Sequence, residues 1–276
     1  MRRVCIAGWP VAHSRSPLIH NYWLRRYGID GEYTRQPVRP EDAEAFFRDL
    51  KLHGFVGCNV TVPLKEIAFR AAGRTDAAAK SVGAANTLWL DDGVLCASNT
   101  DIYGFIRNLD DQAPGWDRIG LPAAILGAGG AARGVIRGLL DRGIPRIRLA
   151  NRSRERAEAL AASFGVTVMV FDWESRAEML TGCGLLVNTT SLGMAAHAPL
   201  DIDLSRFSYP GVVCDIVYTP LETGLLRRAR SAGLHTADGL GMLLQQAVPG
   251  FETWFGIRPE ITPELKELLI ADLGAH

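Results

Sequence analysis

The sequence has no excess of charge of either sign. Its 30 basic and 30 acidic residues cancel to a formal net charge of +0 at pH 7, and no long run of like charge occurs. Proteins bind nucleic acids and anionic membrane surfaces through clustered positive charge. The composition therefore predicts neither a nucleic acid nor a membrane as a partner.

Cysteines and long apolar runs are also few. The five cysteines have no Cys-x-x-Cys spacing and lie mostly in apolar segments, which is typical of buried thiols in a reducing compartment. The apolar stretch Val4–Ala7 is too short for the core of a signal peptide, and no apolar run approaches membrane-spanning length. The histidines have no metal-ligand spacing, so no metal site is predicted. We expect a cytoplasmic protein.

A glycine-rich motif follows the apolar stretch Ala123–Leu126. This order predicts a strand, a tight turn and a helix start, where Gly129 lets the backbone approach a pyrophosphate without a Cβ in the way. Free N–H groups at the N-terminus of such a helix bind phosphate. The motif alone is weak evidence, because any short strand-to-helix turn needs residues that tolerate positive φ. The predicted phosphate-binding residues are Gly127, Ala128, Gly129, Gly130 and Ala131.

The residues after the next predicted strand indicate which dinucleotide binds. An NAD-binding fold usually has an acidic residue there, which binds the ribose hydroxyls. Here the strand is followed by Asn151-Arg152-Ser153-Arg154-Glu155-Arg156. Arg152 can stack on adenine and contact a 2′-phosphate, with Ser153 and Arg156 beside it, so NADP is predicted over NAD. The alternative is that Ser153 caps a helix whose arginines are solvated.

Apolar stretches separated by helical or loop segments predict a doubly wound parallel sheet around the glycine motif. They are Ala123–Leu126, Ile147–Ala150, Val166–Val170, Leu185–Asn188 and Val212–Val217. The preceding part of the chain alternates short strands with amphipathic helices and contains the hairpin signal Asp91-Asp92-Gly93. This pattern indicates a second unit of mixed α/β structure.

The chain ends in two predicted helices, Leu240–Trp254 and one from about Thr262 to Leu273. Two helices alone cannot bury a core, so we expect them to complete the first unit. We therefore predict an α/β protein of two domains. Residues 1–104 and 239–276 form the substrate-binding and catalytic domain, and residues 105–238 form an inserted Rossmann-like NADP-binding domain with a parallel sheet.

Polar residues in the first unit occur where strands end and helices begin. Ser14 and Ser16 precede a helix and can bind a carboxylate or polyol, although Ser16 followed by Pro17 is also an ordinary helix start. Asn59 and Thr61 share one face of an extended strand. Ligands of open α/β sheets bind at such strand ends, so we expect the substrate here.

Lys65 and Asp101 are the predicted catalytic pair. Lys65 lies at a predicted helix N-terminus, which disfavours a cation that is merely solvated. A lysine held by an aspartate beside a nicotinamide can transfer a proton in an alcohol–ketone interconversion. The alternative is a surface ion pair that contributes little energy.

A series of short motifs runs in order along nearly the whole chain. They are Gly8–Pro17, Asn59–Lys65, Gly83–Thr87, Asn99–Asp101, Gly127–Ala131, Asn151–Ser153, Asn188–Thr190, Asp215–Pro220 and Asp238-Gly239-Leu240 running to Gln246. In this succession the sequence resembles the shikimate dehydrogenase family. The resemblance implies reversible, NADPH-dependent reduction of 3-dehydroshikimate to shikimate in the biosynthesis of chorismate and aromatic amino acids.

The resemblance also implies roles for individual residues. Lys65 would be the acid/base residue and Asp101 its partner. The implied substrate-binding residues are Ser14, Ser16, Asn59, Thr61, Asn86, Tyr218 and Gln246. The implied cofactor-binding residues, besides the glycine motif and Asn151, Arg152, Ser153 and Arg156, are Asp76, Thr189, Ile216 and Gly239. A simple helix-start role explains Asp76 equally well.

Three residues depart from the family pattern, and one of them, Ala85 in place of a frequent valine, is interpreted as a packing change. Leu64 stands where a bulky, often aromatic or histidine residue precedes the lysine, and Ile102 stands where glycine usually follows the aspartate. A β-branched residue there is expected to restrict the backbone.

The alternatives to a shikimate dehydrogenase are a quinate/shikimate dehydrogenase that uses NAD, an aminoshikimate-type relative, and a redox-silent NADP-binding regulator that would have lost Lys65 or Asp101. A monomer or a homodimer is expected.

Overall fold

The computed structural model describes residues 1–208 and 210–274, which form two compact units. The first unit is Met1–Tyr103 together with the chain from Leu244 onward, and the second is Gly104–Leu243. In the described part of the chain, every helix is too short or too polar to cross a membrane.

Strands and helices alternate along the chain. The strands are β1 (Arg2–Gly8), β2 (Gly31–Pro37), β3 (Gly57–Val60), β4 (Arg74–Thr75), β5 (Thr87–Asp91), β6 (Val94–Ser98), β7 (Ala123–Leu126), β8 (Ile147–Ala150), β9 (Val168–Phe171), β10 (Leu185–Asn188), β11 (Val212–Asp215) and β12 (His235–Ala237). The helices are α1 (Ser16–Arg26), α2 (Pro40–Arg48), α3 (Lys65–Ala71), α4 (Ala77–Val82), α5 (Asp101–Gln112), α6 (Gly130–Asp141), α7 (Arg154–Ala162), α8 (Gly224–Ser231), α9 (Gly239–Phe255) and α10 (Pro263–Gly274).

The first unit contains a mixed six-stranded sheet in the order β2-β1-β3-β5-β6-β4. Strand β1 runs parallel to both of its neighbours, whereas β5 runs antiparallel to β3 and to β6. One core cluster of this unit joins Cys5, Cys58 and Leu88 of the sheet to Phe47 of α2 and to Leu64, which precedes α3. Because β1 and β3 are parallel, the loops that follow their carboxyl ends lie at the same edge of the sheet.

The sheet of the second unit is entirely parallel, in the order β12-β11-β10-β7-β8-β9. Alternate residues of its strands enter two separate clusters, with Ile125 and Val187 in one and Leu126 and Leu186 in the other. Both faces of the sheet are thus covered, as parallel sheets require. The predicted α/β fold class is confirmed.

The C-terminal half of α9 packs on the first sheet. The Trp254 indole Nε1 donates to the Leu88 carbonyl oxygen at 2.9 Å. A Cβ on Gly57 would lie 2.0 Å from that nitrogen, so the indole occupies the space that any side chain at this position would need. Arg2 Nη1 also donates to the Trp254 carbonyl oxygen at 3.1 Å. The two ends of the chain therefore belong to one folded unit.

His20 of α1 lies fully buried among aromatic rings of the first unit. Its imidazole stacks on the Tyr33 ring with the centroids 4.2 Å apart, and Trp23 and Phe251 lie 5.5 and 5.9 Å away. Burial lowers the pKa of His20 to about 3. The imidazole is therefore neutral in the folded protein at pH 7.

This burial predicts a specific loss of stability in acid. In the unfolded chain the His20 imidazole takes up a proton near pH 6.5, whereas in the folded protein its pKa is about 3. The free energy of unfolding therefore falls as the pH drops between these two values. Between pH 7 and 5 the loss amounts to about 2 kcal/mol. We expect His20→Phe to reduce the difference in unfolding free energy between these two pH values by about that amount, measured by urea denaturation. Replacing the exposed His235 with Phe serves as the control, and equal pH dependence in both variants would contradict the prediction.

Candidate active site

Lys65 and Asp101 are brought together although they lie on different helices. Lys65 is the first residue of α3 and Asp101 the first residue of α5, and Lys65 Nζ lies 2.5 Å from Asp101 Oδ2. Their side chains are 29% and 24% exposed, so the pair is partly buried yet accessible. A carboxylate is favoured at a helix N-terminus and an ammonium is not, so Asp101 compensates for the position of Lys65.

Asn86 holds the other oxygen of this carboxylate. Its Nδ2 donates to Asp101 Oδ1 at 2.9 Å and lies 3.4 Å from Gln246 Oε1. Its Oδ1 accepts a hydrogen bond from the Thr100 backbone N–H at 2.8 Å. The Thr100 hydroxyl in turn donates to the Gln246 carbonyl oxygen at 2.8 Å, which fixes α9 to the site. Thr100 was not predicted as a site residue, although it stands inside the motif Asn99–Asp101.

Asn59 is buried and extensively hydrogen-bonded within its unit. Its Oδ1 accepts from the Tyr33 hydroxyl at 2.6 Å, and its Nδ2 donates to the Asn86 carbonyl oxygen at 3.0 Å and to Thr87 Oγ1 at 3.2 Å. Both hydrogens of Nδ2 are therefore donated within the unit. Thr61 follows the end of β3 and is partly exposed. Of the two residues predicted to share a strand face, Asn59 is therefore buried and hydrogen-bonded, whereas Thr61 is partly exposed.

Ser14 lies in the loop before α1 and Ser16 is the first residue of α1, and arginines hold this loop from two sides. The Ser16 N–H donates to Ser14 Oγ at 3.3 Å, but the N-cap residue of α1 is Arg15, and no described side chain caps the helix. Arg35 on β2 donates two hydrogen bonds to the Ser14 carbonyl oxygen, at 3.1 and 2.7 Å. Arg15 forms an ion pair with Asp272 of α10, with Nε 2.5 Å from Oδ2. Neither arginine nor Asp272 was predicted to support this loop.

In the second unit, the glycine motif forms a bare turn after β7. Gly127 has a φ of +104°, and a Cβ there would lie 2.6 Å from Thr189 Oγ1, so no other residue fits. A Cβ on Gly129 or Gly130 would meet nothing within 4 Å. The turn is therefore closely packed on its Thr189 side and open beside Gly129 and Gly130.

The open side of this turn leads to the N-terminus of α6. Among the described residues, no side chain caps this helix, so its first N–H groups are available to an anion. Asn151, at the end of the neighbouring strand, accepts a hydrogen bond from the Ala128 N–H at 3.2 Å and donates to the Ser153 carbonyl oxygen at 2.9 Å. Asn151 therefore shapes the turn through its amide.

Ser153 caps α7, since its hydroxyl oxygen accepts a hydrogen bond from the Arg156 N–H at 3.3 Å. The helix-capping alternative is correct as a description of this contact. It still leaves the hydroxyl hydrogen of Ser153 available for donation. Capping and ligand binding are thus compatible at this residue.

One of the three arginines after β8 is already neutralised. Arg154 contacts Glu158 Oε1 through Nε at 2.8 Å and Asp172 Oδ1 through Nη1 at 2.5 Å. Arg152 and Arg156 are exposed and form no ion pair with any residue that the structure describes. Two unpaired guanidinium groups therefore follow the strand end where an NAD-binding fold usually has an acid.

The loop after β11 contacts the start of α9. A Cβ on Gly239 would lie 2.2 Å from the Ile216 carbonyl oxygen, so glycine alone permits this approach of the two backbones. Tyr218, which is partly buried, belongs to the same loop. The implied residues Ile216, Tyr218 and Gly239 are thus neighbours in the second unit.

Asp215, which was not predicted as a site residue, anchors that loop. It is fully buried and accepts hydrogen bonds from Asn188 Nδ2 at 2.9 Å, Thr223 Oγ1 at 2.8 Å and the Val217 N–H at 3.1 Å. Burial raises the pKa of this carboxyl, and the three donors oppose the rise. Its side chain therefore shapes the loop rather than meeting a ligand.

Both carboxylate oxygens of Asp76 accept hydrogen bonds from residues of the first unit. Its Oδ1 accepts from the Ala79 N–H at 2.8 Å and caps α4, while its Oδ2 accepts from the Ser98 hydroxyl at 2.6 Å. The helix-start role accounts for one oxygen and the Ser98 contact for the other. The contacts therefore favour a structural role for this carboxylate.

The departures from the family pattern have simple structural explanations, and Ala85 is fully buried in the core of the first unit. Leu64 is fully buried in the core of the first unit, so it acts there as a packing residue. Ile102 is the second residue of α5, in a helical conformation that a β-branched side chain can adopt. The expected restriction of the backbone after Asp101 is therefore compatible with the helix.

Family models match three segments of the chain. Residues 6–88 match the shikimate dehydrogenase substrate binding domain, residues 119–195 the shikimate/quinate 5-dehydrogenase, and residues 239–266 the shikimate 5′-dehydrogenase C-terminal domain. The shikimate dehydrogenase (NADP(+)) of Nitrobacter hamburgensis is 56% identical over 272 residues, which cover 99% of this chain and 95% of that protein. The chain belongs to the shikimate dehydrogenase family. The predicted family is confirmed.

Solved structures of the shikimate dehydrogenase family and its relatives share the fold. The shikimate 5-dehydrogenase of Thermus thermophilus, solved with NADP(H) and shikimate, is 34% identical with a TM-score of 0.85, covering 99% of this chain and 100% of that one. The quinate dehydrogenase of Corynebacterium glutamicum, solved with NAD, is 28% identical with a TM-score of 0.89, covering 98% and 99%. The fold is thus shared by relatives with different substrates and cofactors.

Proposed function

We propose that this protein is an NADP-dependent shikimate dehydrogenase. It reversibly reduces 3-dehydroshikimate to shikimate in the biosynthesis of chorismate and aromatic amino acids. The observation that carries the proposal is the 2.5 Å contact of Lys65 with Asp101, in a chain that is 56% identical to a shikimate dehydrogenase (NADP(+)). A redox-silent regulator would have no use for this acid/base pair.

The reaction needs one proton at the substrate oxygen. When bound, NADPH would supply the hydride that the carbonyl carbon needs. Lys65 Nζ would donate a proton to the oxygen, so that the C=O group becomes a CH–OH group. In the oxidation of shikimate, Nζ takes the hydroxyl proton back. Asp101 accepts a hydrogen bond from Nζ and holds it in place, while Asn86 fixes the carboxylate.

The substrate is proposed to bind the domain formed by residues 1–104 and 239–276. The hydroxyls of Ser14 and Ser16 donate to its carboxylate, and the loop that carries them is held by Arg35 and Asp272. The ring hydroxyls meet amide and hydroxyl groups of Asn59, Thr61, Asn86 and Gln246, all of the same unit. Both Nδ2 hydrogens of Asn59 are donated within the unit, so this residue can only accept from the substrate.

The residues present fit NADP in the inserted domain, residues 105–238. The pyrophosphate is proposed to bind where the glycine turn is open, at Gly127–Ala131 and the N-terminus of α6. Arg152, Ser153 and Arg156 bind the 2′-phosphate, and Thr189 and Ile216 line the rest of the site. Gly239, just after this range, lies against the Ile216 backbone and completes the site. Asn151 shapes the turn.

The protein is proposed to act in the cytoplasm, as a monomer or a homodimer, on a small-molecule substrate and without a nucleic-acid or membrane partner. The net charge of +0 supports the absence of a polyanionic partner. The five cysteines are buried free thiols, which supports a reducing compartment.

An assay of four substrate and cofactor combinations tests the function. Shikimate and quinate are each offered with NADP and with NAD, and the appearance of reduced cofactor is followed. We expect the highest kcat/KM with shikimate and NADP. A preference for quinate with NAD would favour the activity of the Corynebacterium relative. Activity with none of the four pairs would favour a regulator and overturn the proposal.

A further inference from the structure

Tyr33 directs its hydroxyl into the interior of the first unit. The residue is 2% exposed, and its hydroxyl donates to Asn59 Oδ1 at 2.6 Å. Burial raises the pKa of this phenol well above its usual value, so it stays protonated and able to donate. The ring stacks on His20 at 4.2 Å and lies 6.2 Å from the Trp254 ring. The direction of the hydroxyl is therefore fixed by packing.

The Asn59 amide can take only one orientation. Its Nδ2 faces the Asn86 carbonyl oxygen at 3.0 Å, and a flipped amide would place two acceptors against each other. Oδ1 of Asn59 must therefore face Tyr33, which has to be the donor. Loss of the Tyr33 hydroxyl would leave a buried acceptor unpaired, which is costly.

Donors and acceptors then follow one another in a single direction toward the catalytic pair. Tyr33 donates to Asn59, and Asn59 Nδ2 donates to Thr87 Oγ1 at 3.2 Å. The Thr87 hydroxyl donates to Asn86 Oδ1 at 3.0 Å, and Asn86 Nδ2 donates to Asp101 Oδ1 at 2.9 Å. Buried hydrogen bonds aligned in this way polarise and strengthen one another.

We propose that Tyr33 is a positioning residue for the reaction, and that its hydroxyl begins the hydrogen-bond chain through Asn59, Thr87 and Asn86 that orients Asp101 and, through it, Lys65. This inference rests on the proposed function. Tyr33 touches neither Lys65 nor Asp101 directly, so it acts on these two residues only through the hydrogen-bond chain. We call this chain of hydrogen bonds the Tyr33 relay. The Tyr33 hydroxyl also contacts the Ser16 side chain.

Tyr33→Phe tests the Tyr33 relay because it removes the hydroxyl and keeps the ring on His20. We expect kcat for shikimate oxidation to fall about tenfold, with KM for NADP unchanged, as for one lost positioning hydrogen bond. Tyr22→Phe is the matched control: its hydroxyl contacts Thr262 Oγ1 at 2.7 Å and Glu264 Oε2 at 3.0 Å, outside the relay. Wild-type kcat in Tyr33→Phe would overturn the inference.

A double-mutant cycle separates positioning from general destabilisation. In an Asn59→Leu background the relay is already broken, so adding Tyr33→Phe is expected to lower kcat no further. A further tenfold loss in the double variant would contradict the relay. Thr87→Val, which interrupts the same chain at another residue, is expected to lower kcat as Tyr33→Phe does, and it keeps the test valid if Tyr33→Phe does not fold.

Failure of this inference and failure of the proposed function give different results. If wild-type protein oxidises shikimate with NADP and Tyr33→Phe does so at the same rate, the relay alone is wrong. If the wild-type protein is inactive with shikimate, the proposed function is wrong, and the inference falls with it.

Discussion

Replacing Lys65 with methionine is expected to lower kcat by about 10²- to 10⁴-fold, the usual effect of losing a general acid. Methionine has nearly the same length as lysine and carries no proton to donate. The Asp101 carboxylate keeps its hydrogen bond from Asn86 at 2.9 Å, so the rest of the site should stay in place. Shikimate and NADP should still bind with near-normal affinity, measured by fluorescence titration alongside steady-state kinetics.

A matched control for this variant is Lys51→Met, since Lys51 is exposed and outside the site. It should leave kcat unchanged, which would show that the loss comes from position 65 and not from the chemistry of the substitution. Near-normal turnover in Lys65→Met would remove Lys65 from the reaction. A loss of shikimate binding without a loss of kcat would instead make it a binding residue.

Replacing both Arg152 and Arg156 with glutamine is expected to raise KM for NADP on the order of 100-fold while leaving KM for NAD nearly unchanged. The reason is that the 2′-phosphate, which only NADP carries, would lose two charge-assisted contacts. The two guanidinium groups form no ion pair with described residues, so their removal should cost little stability. The ratio of kcat/KM for the two cofactors is the measurement.

Arg154 supplies the control for this pair of substitutions. It stands between them and is held by Glu158 at 2.8 Å and by Asp172 at 2.5 Å. Arg154→Gln removes the same charge two residues away and should not alter the cofactor preference. An unchanged preference in the Arg152 and Arg156 double variant would assign the 2′-phosphate to other residues.

The strands of the parallel sheet were predictable where apolar runs are short and bounded. Ala123–Leu126, Ile147–Ala150 and Leu185–Asn188 coincide with β7, β8 and β10. Val166 was predicted to begin the next strand, but it lies in the 3₁₀ turn Gly165–Thr167 and is 98% exposed. Strand β12 was missed because it has three residues and only one of them is buried. Hydrophobicity alone does not tell a strand end from an exposed turn.

The residues that support the site were not predictable. Arg35, Asp272 and Tyr33 lie outside every motif, and each contacts a motif residue that is distant in sequence: Arg35 lies 21 residues from Ser14, and Tyr33 lies 26 from Asn59. Their residue types carry no chemical signal, since an arginine or a tyrosine on a strand is ordinary. Only their contacts give them a function.

The sequence by itself determined the chemistry available to this protein. A bare glycine turn, a strand end without an acid, and a lysine and an aspartate within ordered motifs were enough to predict the α/β fold class and the family. The tertiary structure decided which donor meets which acceptor. Arg35 donates to the Ser14 carbonyl oxygen at 2.7 Å, Asp272 forms an ion pair with Arg15, and Tyr33 donates to Asn59 Oδ1 at 2.6 Å. These outcomes depend on contacts between elements, and residue type and spacing along the chain do not encode them.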